Sequence, residues 1–175
     1  MIITQTPFRM SFFGGGTDFP GFYRDHGGAV LSTTFDKYCY VNVRHLPRFF
    51  DYTTELSYAK TERVTDVEAI EHPAIREAMK MLDMHEIRLT YEADLPARSG
   101  LGTSSSFAVG MLNAFYALKG KYVSKKRNKK IISKNINFTS FKYIESLSYV
   151  SNGIFASKTS FIASIVFTKN HQLKF

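Results

Sequence analysis

From Glu86 to Pro96 apolar and polar residues alternate, so that Ile87, Leu89, Tyr91 and Ala93 share one side of an extended chain and Arg88, Thr90, Glu92 and Asp94 the other. A period of two predicts a strand with one buried face. Beyond a glycine-rich stretch the period lengthens: Phe107, Met111 and Phe115 recur every four residues beside Ala108, Leu112 and Leu118, which predicts a buried helix ended by Lys119 and Gly120. In HPAIREAMKML, Pro73 suits a first-turn position and Ile75, Met79 and Leu82 line one face, the pattern of an amphipathic helix. The first 46 residues hold IITQTPFRMSFF, GGAVLSTTF and DKYCYVNVRHL, β-rich segments punctuated by glycine, which predict strands joined by turns or short loops. A weaker strand pair is expected through Tyr52 to Tyr58.

A chain of 175 residues with 44% apolar content has enough material for one domain and its core. Its one cysteine, Cys39, cannot form an internal disulfide, and MIITQTPFRM lacks a basic segment followed by an apolar run, so a cytoplasmic protein is expected. The most apolar late segment, GIFASKTSFIASIVF, contains Lys158 and several serines and falls short of the roughly 18 apolar residues of a membrane span. The net charge of +8 is unevenly spread. Residues 1–124 carry 13 Lys+Arg against 14 Asp+Glu, a net of −1, whereas residues 125–175 carry 10 Lys+Arg against Glu145 alone, a net of +9. This last segment draws 35 of its 51 residues from Lys, Asn, Ile, Ser and Phe, with no Pro, no Asp and one Gly. Turns and caps normally consume Gly, Pro and Asp, so residues 125–175 read as a tail that does not continue the domain of residues 1–124.

The stretch LPARSGLGTSSSFAVG, Leu95 to Gly110, joins the alternating strand to the buried helix. Backbone N–H groups at a helix start lack intrahelical partners and favour anions. Gly100 and Gly102 would let the backbone approach a phosphate, and Thr103, Ser104, Ser105 and Ser106 offer hydroxyls to phosphate or Mg²⁺. It is not a Walker A loop, it does not complete GxGxxG, and it holds no GxSxG elbow. Spacing alone leaves two readings open, an anion cradle and a tight turn with a Ser/Thr-capped helix.

PARSGLGTSSSF resembles the second signature of the GHMP small-molecule kinases, Pro-x-x-x-Gly-Leu-Gly-Ser/Thr-Ser-Ser/Ala, here Pro96 to Ser105. PFRMSFFGGGTDF, Pro7 to Phe19, resembles that family's first signature, and the wording is most similar to the heptose 7-phosphate kinase branch. The resemblance covers about residues 1–124. It implies an α+β fold like domain 2 of ribosomal protein S5, a mostly antiparallel sheet with helices on one face, without the family's C-terminal domain. It implies ATP and Mg²⁺ as cofactors and phosphoryl transfer to a sugar hydroxyl, the anomeric one in a heptose 7-phosphate, for nucleotide-sugar synthesis.

Carried over by residue, Pro96 and Gly100, Leu101, Gly102, Thr103, Ser104, Ser105 and Ser106 are implied to wrap the ATP phosphates, with Ser104 on Mg²⁺ and Ser105 next. Arg9 is implied to lie near the accepting hydroxyl and the transferred phosphoryl group, and Gly14, Gly15, Gly16, Thr17 and Asp18 to meet the sugar. Arg98 is a second-rank candidate for a phosphate, with an exposed loop arginine as its alternative. Asp36 and Lys37 read as a strand end, and the five histidines show no metal-ligand spacing.

The sequence departs from the family in one respect that bears on activity. The resemblance implies a catalytic aspartate well downstream of the Gly-Leu-Gly loop, yet no aspartate follows Asp94. A truncated kinase with little or no turnover is the expectation, its tail produced by a frameshift near codons 124–127. Two other classes are a non-catalytic nucleotide-binding protein and a binder of nucleic acid or membrane through KKRNKK, Lys125 to Lys130. A charge run without an aromatic platform reads first as a solvated tail, so neither nucleic acid nor membrane is expected as a partner.

Overall fold

The computed structural model describes residues 1–15, 17, 20–97, 99–123 and 163–168. Its frame is a six-stranded sheet made of β1 (Ile2–Phe13), β2 (Gly28–His45), β3 (Thr54–Ser57), β4 (Thr61–Val64), β5 (Ile87–Ala93) and β6 (Ala163–Thr168). Three helices accompany it: α1 (Pro20–His26), α2 (Pro73–Leu82) and α3 (Thr103–Leu118). The strand order is β1-β2-β5-β3-β4, with β6 paired to β2, and every pairing is antiparallel except β3 with β5. The long β2 organises the sheet. One of its edges takes β1, while the other takes β6 along Gly28 to Thr33 and β5 along Cys39 to His45.

Alternation decides which face is covered. Val41, Val43, Leu56, Ile87 and Leu89 point into one apolar cluster with Ile75, Ala78 and Met79 of α2 and Phe107, Met111, Leu112 and Phe115 of α3. Both helices therefore lie on the same side of the sheet. Each fully buried Leu, Ile or Phe contributes about 1.5–3 kcal/mol of transfer free energy. The fold is the expected α+β arrangement, a mostly antiparallel sheet with helices on one face.

Gly110 sets how closely α3 approaches the sheet. A Cβ there would lie 2.9 Å from Thr6 Oγ1, 3.2 Å from Thr4 Oγ1 and 3.3 Å from Val41 Cγ2. The bare backbone permits contact instead, and the Thr4 hydroxyl donates to the Gly110 carbonyl at 3.0 Å.

Several elements differ from the sequence expectation. GGAVLSTTF and DKYCYVNVRHL form one continuous strand, β2, because the pairing with β1 slips between Pro7↔Tyr38 and Arg9↔Thr34. A bulge of this kind accommodates Asp36 and Lys37 without ending the strand. The strand pair expected through Tyr58 has its second arm beyond it, in β4. Helix α1, PGFYRDH, is too short to show a period. Helix α3 begins at Thr103 rather than Phe107, which puts the hydroxyl run inside its first turn. Within the tail, Ala163–Thr168 supplies a strand that composition did not announce.

Candidate active site

Two sequence motifs meet at Arg9. The Arg9 backbone N–H donates to the Leu101 carbonyl at 3.1 Å, fastening β1 to the glycine loop. A Cβ on Gly102 would stand 3.7 Å from Arg9 Cβ, so the start of α3 lies directly over this arginine. Arg9 itself is buried.

The loop owes its shape to its glycines. Gly100 and Gly102 adopt φ of +75° and +74°, the left-handed region that costs other residues about 1–2 kcal/mol. Gly102 is the N-cap of α3 and makes no side-chain cap hydrogen bond. None of the hydroxyl residues occupies the N-cap position, which a glycine without a capping side chain fills. The first amides of the helix, the open surface at Gly100 and the Ser104 hydroxyl form a donor set suited to a polyanion.

The four hydroxyl residues have separate fates. Ser104 is exposed and Thr103 half-buried, while Ser105 and Ser106 are buried. The Ser106 hydroxyl donates to the Pro7 carbonyl at 2.9 Å, so it ties α3 to β1 rather than facing solvent. Pro96 is exposed at the entrance to the loop, and Leu101 is half-buried.

The second motif turns the chain at the end of β1. Gly14 has φ of +76°, and a Cβ there would fall 1.8 Å from the Ala29 carbonyl oxygen, so only glycine fits. The Thr17 hydroxyl lies 2.8 Å from the Gly14 carbonyl and 3.0 Å from the Ala29 carbonyl, and it accepts from the Ala29 N–H at 3.2 Å. It clamps the turn against β2. Gly15 lies over Ser11, with a Cβ position 3.5 Å from Ser11 Cβ.

Gly16, Asp18 and Arg98 lie outside the described residues, as do Lys125 to Lys130 and Glu145. Among the described residues no group of three or more His, Cys, Asp or Glu could hold a metal ion. His72 serves structure: its Nδ1 accepts from the Ile75 N–H at 3.4 Å at the start of α2, and burial lowers its pKa, favouring the neutral ring that can accept.

Sequence patterning did not anticipate a buried carboxylate, Glu55 on β3. It accepts from Tyr52 Oη at 2.8 Å and pairs with Arg63 at 3.0 Å and Arg88 at 2.6 Å. The strand order places this cluster on β3, β4 and β5, across β2 from Arg9 and the glycine loop. Its role is to hold the far side of the sheet.

Comparisons with known proteins agree with this architecture. Residues 67–137 match the GHMP kinases N terminal domain family, a span that includes the glycine loop and α3 and leaves out Arg9 and the Gly14 turn. No curated protein sequence matches the chain. Among solved structures, a D-glycero-D-manno-heptose 1-phosphate kinase from Bacteriodes thetaiotaomicron superposes with a TM-score of 0.65 at 19% identity, over 81% of this chain and 49% of that one. The mevalonate kinase of Methanococcus jannaschii does so with a TM-score of 0.60 at 16% identity, over 86% and 50%. A Streptococcus pneumoniae phosphomevalonate kinase in complex with phosphomevalonate and AMPPNP gives 0.58 at 16%, over 85% and 47%. The chain spans about half the length of these structures. No described helix is long and apolar enough to cross a membrane. Residues 67–137 are thus similar to the GHMP kinases N terminal domain, and the sheet with its helices shares the fold of about half of each of these solved kinases.

Proposed function

We propose that the glycine loop and the Arg9 strand form the nucleotide side of a sugar kinase site that takes ATP with Mg²⁺ and a heptose 7-phosphate. The observation that carries this reading is the seating of Gly102 and Leu101 on Arg9, with a glycine, which has no side chain to cap with, at the N-cap of α3. Gly100, Leu101, Gly102 and Thr103 would bring backbone N–H groups to the phosphates, Pro96 would lead into the cradle, and Ser105 would shape its floor. Ser104, the exposed hydroxyl, would reach the phosphate-bound Mg²⁺, which supplies charge neutralisation when present. Arg9 beneath the loop would hold positive charge close to the phosphoryl group in transfer, where it stabilises the transition state. Gly14 and Gly15 would give the sugar close backbone approach, Thr17 would fix their turn, and Gly16 and Asp18 complete the proposed sugar side.

The residues present fit a nucleotide better than they fit turnover. Within these 175 residues no aspartate follows Asp94 to serve as general base, and Glu145 is the one acid of residues 125–175. The chain is proposed to bind ATP and transfer its γ-phosphoryl group little or not at all. The test is calorimetric titration with AMPPNP and Mg²⁺ beside a coupled kinase assay on heptose 7-phosphate. Binding without turnover is expected; no nucleotide binding would sink the reading, and brisk turnover would overturn the inactivity.

A further inference from the structure

We infer that Ser11 is a further acceptor-binding residue of the proposed sugar site, its hydroxyl taking a hydroxyl group of a sugar phosphate. This rests on the reading above and adds a residue that the signature roles leave unassigned. Pairing between β1 and β2 is regular from Arg9↔Thr34 through Met10↔Thr33 to Ser11↔Ser32. Arg9 and Ser11 therefore share one face of β1. Arg9 lies under Gly102 of the glycine loop, and Ser11 lies under Gly15 of the turn, 3.5 Å from its Cβ position. Ser11 is thus the strand residue between the phosphate side and the sugar side.

Its chemistry fits that position. The Ser11 Oγ is shielded from water and has no hydrogen-bond partner among the described residues. A buried hydroxyl without a partner is a standing cost that a ligand oxygen removes. The neighbouring groups cannot supply the same contact: Gly14 and Gly15 have no side chains, and the Thr17 hydroxyl is engaged with the carbonyls of Gly14 and Ala29. A methyl group on Gly15 would lie over the serine, 3.5 Å from Ser11 Cβ and 3.8 Å from Ser11 Oγ. A hydroxyl that both donates and accepts suits a polyol, whose own hydroxyls do the same.

The experiment titrates the 175-residue chain with heptose 7-phosphate in the presence of AMPPNP and Mg²⁺, and separately with AMPPNP and Mg²⁺ alone. Ser11→Ala is expected to weaken sugar-phosphate binding about 3- to 10-fold, the worth of one neutral hydrogen bond. Its AMPPNP affinity should hold and its thermal midpoint should hold or rise. Ser11→Thr restores the hydroxyl and should recover binding, and Gly15→Ala should weaken the sugar phosphate alone. If Ser11→Ala binds sugar phosphate as the wild type does, the inference fails while the kinase reading stands. A variant that loses sugar phosphate, AMPPNP and thermal stability together shows a structural serine and overturns it too. A wild type that binds AMPPNP and no sugar phosphate removes the sugar site and Ser11 with it.

Discussion

Arg9 and Leu101 are 92 positions apart in the chain, and the N–H of the first donates to the carbonyl of the second at 3.1 Å. That bond holds the Gly100–Gly102 loop in one geometry against β1. Gly102 makes the loop possible because its φ of +74° is left-handed, while a Cβ there would meet Arg9 only at an ordinary contact distance of 3.7 Å. Gly102→Ala should therefore cost about 1–2 kcal/mol through backbone strain rather than collision. Chemical denaturation would read that loss, and AMPPNP titration should show affinity down about tenfold or more. Unchanged nucleotide affinity in a destabilised variant would show that the loop shape matters only to the fold.

The hydroxyl run offers a sharper separation. Ser106 donates to the Pro7 carbonyl from a fully buried position, so Ser106→Ala should destabilise by about 1 kcal/mol, since it leaves that carbonyl without its hydroxyl partner. Ser104 is exposed, and Ser104→Ala should leave stability within about 0.5 kcal/mol while weakening AMPPNP binding several-fold when Mg²⁺ is present. Thermal melts and titrations with and without Mg²⁺ distinguish the two. Equal effects from both variants would mean the helix start is not oriented as described.

How much of this could be read in advance follows from what each signal depends on. The periods of Ile87–Ala93 and Pro73–Leu82 are local and buried on one face, and both elements form where the pattern puts them. The glycines of LPARSGLGTSSSF mark the loop, and the same residues adopt left-handed φ. The division of labour among Thr103 to Ser106 was hidden, because it depends on α3 starting at Thr103 and on the proximity of Pro7, which lies in a distant part of the chain. The continuity of β2 was hidden for a related reason: its bulge is defined against β1 and has no local mark. Glu55 looked like a strand residue of no special kind, and only strand order brings Arg63 and Arg88 to it.

Gly110 tests the packing of α3 on β1. An added methyl would meet Thr6 Oγ1 at 2.9 Å, with Thr4 and Val41 close behind, so it cannot be absorbed by one flexible side-chain end. Gly110→Ala gains helix propensity yet should be net destabilising by about 1–3 kcal/mol, as overpacked sites are. Because Arg9 and the glycine loop sit at the end of the same helix contact, AMPPNP affinity should fall with stability. A variant as stable as the wild type would mean α3 stands farther from the sheet than described.

Cys39 reports on opening of the sheet. It is fully buried, and burial pushes its thiol up to about 12 against the opposing hydrogen bond with Thr6. Against an ordinary thiol near 8.5, its thiolate fraction at pH 8 is on the order of a thousandfold lower. Labelling by a thiol reagent at pH 8 should be slow in the folded chain, fast in denaturant, and retarded by AMPPNP if nucleotide stabilises this domain. Rapid labelling of the native chain would contradict the placement of Cys39 in the core.

Glu55 sets a pH dependence whose sign can be worked out. Burial acts to raise its pKa, but hydrogen bonds from Tyr52 and Arg63 and the charges of Arg88 and Arg63 outweigh it, and the net shift is downward from 4.5. A carboxylate whose folded pKa lies below its unfolded value stabilises the fold above the unfolded pKa and loses that contribution as pH falls through the folded one. Stability should accordingly hold from neutral pH to about 4.5 and decline below it. Glu62, also lowered despite burial through its bonds with Tyr58 and the Glu71 N–H, adds a contribution of the same sign. Glu55→Gln should cost about 1–2 kcal/mol at pH 7, less than a fully buried pair because both arginines reach solvent. It should also flatten the acid limb of a denaturation series from pH 7 to pH 3 without abolishing the part due to Glu62. An acid limb of unchanged slope in the variant would show that Glu55 does not carry the charge pairing the sheet presents.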